Sequence, residues 1–168
     1  MWLSDRRGFL CGALALSGAA VSGCGFAPAY GTDGAASKLQ NAIHVDEINT
    51  HNGYLMTRRI EERLGAGGAN APFTLGLTIG TSQDNLGTTP DGNLTRYQIL
   101  GRVDFTLRRA GEKTGFQYGT VRNFTGYSAS GSTVATLAAE RDAEDRLMTM
   151  LADQVIERLV LISPDISL

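Results

Sequence analysis

The stretch that decides the fold is Leu94–Arg109, which reads LTRYQILGRVDFTLRR. Apolar and polar side chains alternate along it, and this period of two is typical of a strand with one buried and one exposed face. The positions predicted to face the core are Tyr97, Ile99, Val103, Phe105 and Leu107. The positions predicted to face outward are Arg96, Gln98, Arg102, Asp104, Thr106 and Arg108. The pattern therefore predicts a long strand that lies against a hydrophobic core.

The segments on either side of this strand predict the element order β-α-β-β-β-α. Before it, apolar and polar residues alternate over 43–48, which predicts a short strand, and again over 73–81, which predicts a second one. Between them, Asn49 or Thr50 can cap a helix that ends at the glycine cluster beginning with Gly65. Turn residues in 84–93 and 110–115 predict two hairpin bends. We expect a last strand over 116–127, a break over 128–132 and a long helix over 133–162. This order indicates a single α+β domain.

The N-terminus has the layout of a secretory signal peptide. Arg6 and Arg7 precede an apolar run of about 13 residues, which is shorter than the roughly 20 that a membrane-spanning helix needs. The run ends in Val21-Ser22-Gly23-Cys24, which resembles the lipobox of bacterial lipoprotein precursors. We expect cleavage before Cys24, a lipidated Cys24, a tether over 24–40 and a domain over 41–168. Ser4–Leu10 also resembles a twin-arginine export motif, so both export routes stay open.

Composition and cysteine usage exclude several functions. The formal net charge is −2, and it is −3 without residues 1–23, so no basic field is available to attract nucleic acid. Of the two cysteines, Cys11 lies in the leader, which leaves the mature chain without a disulfide or a thiolate metal site. The chain has two histidines, His44 and His51, and no catalytic or metal-binding motif stands near either of them. The sequence also lacks a glycine-rich phosphate-binding motif. We therefore expect no enzymatic activity, no metal and no cofactor.

Arginines on the long strand are the strongest candidates for a binding site. Arg96, Arg102 and Arg108 are six residues apart, so all three project from one face along a line of about 40 Å. The planar guanidinium group suits bidentate contact with phosphate or carboxylate. The alternative is an ordinary solvated strand face whose arginines pair with neighbouring acids.

The long final helix combines a charged segment with an apolar stripe. Glu140–Arg146 holds six charged residues, and the spacing of Asp142 and Arg146 predicts an ion pair on a solvated face rather than a metal or acid–base site. The stripe predicted to face the core is Ala143, Leu147, Leu151, Val155, Leu159 and Ile162.

Taken together, these segments resemble the LptE family of lipopolysaccharide-assembly lipoproteins. The resemblance rests on Gly23–Phe26, on 91–107 with Tyr97-Gln98-Ile99, on Val121–Phe124, and on final-helix positions such as Ala152-Asp153-Gln154. It implies a four-stranded mixed sheet with two helices packed on one face. It also implies a domain that plugs the outer-membrane β-barrel LptD and assists both barrel assembly and lipopolysaccharide insertion into the outer leaflet.

The resemblance also bears on location and on contacts. Gly25, rather than Asp, after the cysteine is typical of lipoproteins sorted to the outer membrane, on its periplasmic face. Family members can carry basic residues at the hairpin tip and after the last strand. Here the tip is Pro90-Asp91-Gly92 and residues 128–132 are uncharged, so the nearest substitutes are Arg96, Arg102 and Arg122. The alternative function is an auxiliary lipoprotein of an ABC-type lipid-transport system, and a purely structural lipoprotein is a third.

Overall fold

The structure, a computed structural model, describes residues 34–88, 94–129 and 132–166. Four strands and two helices form the domain. They are β1 (Ile43–Val45), α1 (His51–Leu64), β2 (Phe73–Thr88), β3 (Leu94–Arg109), β4 (Gly115–Ser128) and α2 (Thr133–Ile162). Two short 3-10 helices, Ala35–Leu39 and Ser163–Asp165, flank them. The predicted leader, Cys24 and most of the tether lie outside the described residues.

The strands form one mixed sheet in the order β1-β2-β3-β4. β1 runs parallel to β2, whereas β2, β3 and β4 are antiparallel neighbours. The apolar side chains on one face of this sheet form a single core with the buried residues of both helices. The predicted α+β class and the β-α-β-β-β-α order are confirmed.

Helix α1 begins and ends at the capping residues that the sequence predicts. The Thr50 side chain accepts a hydrogen bond from the Gly53 backbone N–H at 3.0 Å, so Thr50 rather than Asn49 is the N-cap. At the other end Gly65 adopts a φ of +80°, which L side chains rarely adopt. The Asn41 N–H then donates to the Leu64 carbonyl and ties this helix end to the start of β1.

Two predicted boundaries are wrong. The first strand ends at Val45 rather than at residue 48, because only residues 43–45 pair with β2 before the chain turns towards α1. β2 continues to Thr88 rather than stopping at residue 81, although its last residues are turn formers. β3 offers backbone partners as far as Leu94, with irregular register around Gly87, and this pairing overrides the local turn preference. The predicted loop tip at 89–93 lies outside the described residues.

Helix α2 forms the centre of the core. Its predicted stripe is buried except for Ile162, which is half-buried near the helix end. Met148, Ala152 and Ile156 are also buried, which widens the stripe beyond the prediction. This extra burial follows from α2 packing against both β4 and α1. The ion pair between Arg146 and Asp142 is confirmed on an exposed face.

The two helices run in the same direction. Arg59 of α1 donates two hydrogen bonds to the Asp153 carboxylate of α2, at 2.9 and 3.0 Å. His51, at the start of α1, lies 3.5 Å from Asp145 of α2. The step from His51 to Arg59 and the step from Asp145 to Asp153 are both eight residues, so the two helices advance together. Within the described ranges, no helix is long and apolar enough to cross a membrane.

Candidate functional site

The arginines singled out from the sequence lie on the sheet face that the helices leave uncovered. Arg102 of β3 stands directly opposite Arg122 of β4, and Gly80 of β2 completes this row across the sheet. Arg96 and Arg108 lie on the same face of β3, towards its two ends. The structure therefore brings Arg102 and Arg122 together, whereas Arg96 and Arg108 are each six residues away along the strand.

The four arginines differ in what they contact. Arg108 is half-buried, donates to the Asp46 carboxylate and thereby ties β3 to the residue after β1. Arg102 is exposed and donates two hydrogen bonds to Asp104, at 2.9 and 2.7 Å. Arg96 and Arg122 are exposed and make no ion pair with the part of the chain that the structure describes. Arg122 is therefore available to a ligand beside a second, exposed guanidinium group.

An apolar patch adjoins this arginine pair. Leu100 and Phe124 are cross-strand neighbours two residues from Arg102 and Arg122, and they are 36% and 62% exposed. Together with Gly80 and Ser82 they line an open depression of about 460 Å³. Gly80 has no side chain that would fill the depression, and the space where its Cβ would lie is open.

The sequence reasoning missed Leu100 and Phe124. The signal was present, because Leu100 is an apolar residue at a position that the alternation of β3 assigns to the outward, polar face. Phe124 occupies the matching place on β4, next but one to Arg122. An exposed apolar pair beside two guanidinium groups suits a ligand that combines an anionic group with a hydrocarbon chain.

Asp104 sets the electrostatics of the arginine pair. Its carboxylate accepts hydrogen bonds from Arg102 and from the Thr120 hydroxyl, and these bonds lower its pKa to about 2. The same contact raises the pKa of Arg102. An anionic ligand at Arg102 has to displace the hydrogen bonds to Asp104, whereas Arg122 interacts with that carboxylate only through its charge, without a hydrogen bond.

The lowered pKa of Asp104 gives a pH-dependent prediction. We expect the side-chain carbon signal of Asp104 in a ¹³C NMR titration to move near pH 2, and at a higher pH in the Arg102→Gln variant, where the Thr120 hydroxyl and the Arg122 charge still lower the pKa. Because the folded-state pKa is depressed, the stabilisation is complete above the unfolded value near 3.8 and is lost as the pH falls through about 2. An Asp104 signal that titrates near pH 4 in both proteins would show that the pair does not form in solution.

The histidines and the other acidic side chains are the remaining candidates for metal ligands. The structure describes no group of three or more histidine, cysteine or acidic side chains that could hold a metal ion in residues 34–88, 94–129 and 132–166. The ring Nδ1 of His44 lies 3.3 Å from the Gly67 carbonyl, and His51 lies beside Asp145. The two histidines thus contact separate parts of the domain.

Comparison with solved structures identifies proteins of the same fold. A Caulobacter crescentus protein assigned as a lipoprotein is 17% identical with a TM-score of 0.64, covering 77% of this chain and 96% of that one. The rare lipoprotein B of Shewanella oneidensis is 14% identical with a TM-score of 0.56, covering 74% and 96%. Lipoprotein B of Nitrosomonas europaea is 13% identical with a TM-score of 0.53, covering 73% and 83%. At these identities the likeness concerns the fold alone.

Sequence comparison is more specific. Among curated proteins no significant match is found. The family model LptE, described as lipopolysaccharide-assembly, matches residues 40–159 and so covers most of the domain. The fold is a small α+β domain of the kind found in these bacterial lipoproteins. The chain belongs to the LptE family, and its role lies in lipopolysaccharide assembly. The predicted family and its helix-and-sheet arrangement are confirmed.

Proposed function

We propose that this protein is a lipid-anchored, non-enzymatic subunit of the outer membrane that partners and plugs the LptD β-barrel. In that position it assists barrel assembly and the insertion of lipopolysaccharide into the outer leaflet. The family match over residues 40–159 supports the assembly role, and the predicted leader over residues 1–23, followed by Cys24, supports the anchor on the periplasmic face.

The observation that carries the binding part of the proposal is the outer-face depression. Lipopolysaccharide combines phosphate groups with acyl chains, and the depression places Arg102 and Arg122 beside Leu100 and Phe124. A phosphate group would contact the two guanidinium groups, and a hydrocarbon chain would cover the apolar pair. Arg96 extends the same face towards the hairpin end, where further phosphates or barrel carboxylates would contact it. Arg108 serves mainly to hold Asp46.

Charge reversal tests this site. We expect Arg102→Glu combined with Arg122→Glu to weaken binding of purified lipopolysaccharide at least tenfold, because two charge-assisted contacts are lost. The matched control is Lys113→Glu with Arg141→Glu, which makes the same change in net charge at exposed positions outside the depression. Calorimetry on folded variants measures both affinities, and equal affinities for the two double variants would show that the arginine pair is not the site.

Co-purification tests the partner. After solubilisation in detergent, the tagged protein is expected to carry a large outer-membrane β-barrel protein identified by mass spectrometry. Recovery of inner-membrane transporter subunits instead would favour the auxiliary lipoprotein of an ABC-type lipid-transport system. Recovery of neither partner would contradict both and leave a structural lipoprotein.

A further inference from the structure

Strand β4 is an edge of the sheet, and its outer side has no strand beside it among the described residues. The Ala129 N–H donates to the Thr95 carbonyl of β3, so the odd-numbered residues of β4 direct their backbone groups towards β3. Because the direction alternates along a strand, Thr120, Arg122 and Phe124 direct their N–H and C=O groups away from the sheet. Such a row pairs readily with another extended chain.

Helix α2 turns this edge into a groove. Two adjoining depressions, of about 430 and 290 Å³, follow the seam between β4 and the C-terminal half of α2, and both are lined by Thr120, Arg158 and Leu161. A groove between an edge strand and a helix is the geometry in which several domain families bind a peptide as an added strand.

Two side chains in the groove are unexplained by the fold. The Gln154 Oε1 atom is buried and accepts no hydrogen bond from the described residues. A buried acceptor without a donor is costly, so a ligand N–H at this point would remove a penalty that the free protein carries. Leu161 lines both depressions and is 71% exposed, whereas a large apolar side chain of a helix is usually buried.

Charge indicates what kind of chain fits. Arg122 and Arg158 line the larger depression together with one acid, Glu157, so the groove has a positive excess. The groove therefore favours an extended chain that carries a carboxylate.

We propose that the groove between β4 and α2 binds an extended, carboxylate-bearing peptide segment of a partner protein, which adds to the sheet as a fifth strand. Its backbone pairs with Thr120, Arg122 and Phe124, one of its N–H groups donates to Gln154 Oε1, and an apolar side chain covers Leu161. This interface shares Arg122 and Phe124 with the outer-face depression, of which it uses the backbone N–H and C=O groups, and it does not depend on the proposed function.

The test uses the full-length protein in detergent and a defined probe, an eight-residue peptide of alternating threonine and valine with a free C-terminal carboxylate. We expect the peptide to slow amide hydrogen exchange at Thr120, Arg122 and Phe124 at least tenfold. The same peptide methylated on alternate backbone nitrogens is expected to give no protection, and an amidated C-terminus is expected to weaken binding about fivefold.

Variants separate binding from a merely structural role. Gln154→Met is expected to raise the thermal midpoint of the free protein, since it removes a buried unpaired acceptor, and yet to weaken peptide binding at least fivefold. Leu161→Ser should weaken binding while the matched Leu137→Ser, at an exposed site on the same helix, should not. The proposal is overturned if the peptide gives no protection at millimolar concentration, if the methylated peptide protects equally, or if protection instead follows self-association of the protein.

Discussion

Replacing Gly101 with valine is expected to lower the free energy of unfolding by about 3 kcal/mol, at the upper end of what overpacking a core costs. Gly101 lies on the inward face of β3, where a Cβ would stand 2.6 Å from Leu151 Cδ1 and 3.1 Å from Leu147 Cδ2. Both leucines are fully buried in α2, so they can move away only by disturbing the packing around them. The missing side chain at Gly101 is therefore what lets α2 lie close to the sheet.

Gly80→Val is the matched control for this prediction. Gly80 stands on the neighbouring strand, one residue from the partner of Gly101, but on the opposite face with open space around its Cβ position. We expect its free energy of unfolding to change by no more than about 0.5 kcal/mol, as for other surface changes. Urea denaturation followed by circular dichroism measures both variants, and equal losses would mean that α2 does not pack on Gly101 in solution.

Cys24→Ala is expected to abolish lipid attachment altogether. The lipid is proposed to be carried by the sulfur of Cys24, and after removal of residues 1–23 the chain has no other thiol. Incorporation of radiolabelled palmitate should fall to background, and the protein should no longer fractionate as a mature outer-membrane lipoprotein. The effect is all-or-none, because stable anchoring depends on the acyl chains rather than on the domain surface.

Cys11→Ala is the matched control for Cys24. It removes the other cysteine, which lies within the predicted leader, so labelling should remain at the level of the unaltered protein. Palmitate labelling of the Cys24→Ala protein, or loss of labelling in the Cys11→Ala protein, would contradict cleavage before Cys24.

The sequence predicted much of the fold because its periodicities are clear. The alternation of β3 and the stripe of α2 each follow from local geometry, so they could be read without knowledge of the neighbours. The end of β2 could not, because Gln83–Thr88 resembles a turn and forms a strand only through pairing with β3. The end of β1 also depends on pairing, because the strand ends at the last residue that pairs with β2.

The candidate site was predicted in part. Even spacing placed Arg96, Arg102 and Arg108 on one face, which the structure shows to be the uncovered one. Spacing along one strand did not reveal that Arg108 holds Asp46, 62 residues away, or that Arg122 stands opposite Arg102. It also did not single out Leu100 and Phe124, whose significance comes from their being neighbours across two strands.

The sequence by itself determined the order of the elements, the faces of the long strand and of the final helix, and the resemblance to the LptE family. These features depend on residues close together in the chain. Only the tertiary structure decided which arginines stand side by side, which are engaged in ion pairs, and where an edge strand and a helix enclose a groove. Those properties arise from strand register and helix packing, which join residues far apart in sequence.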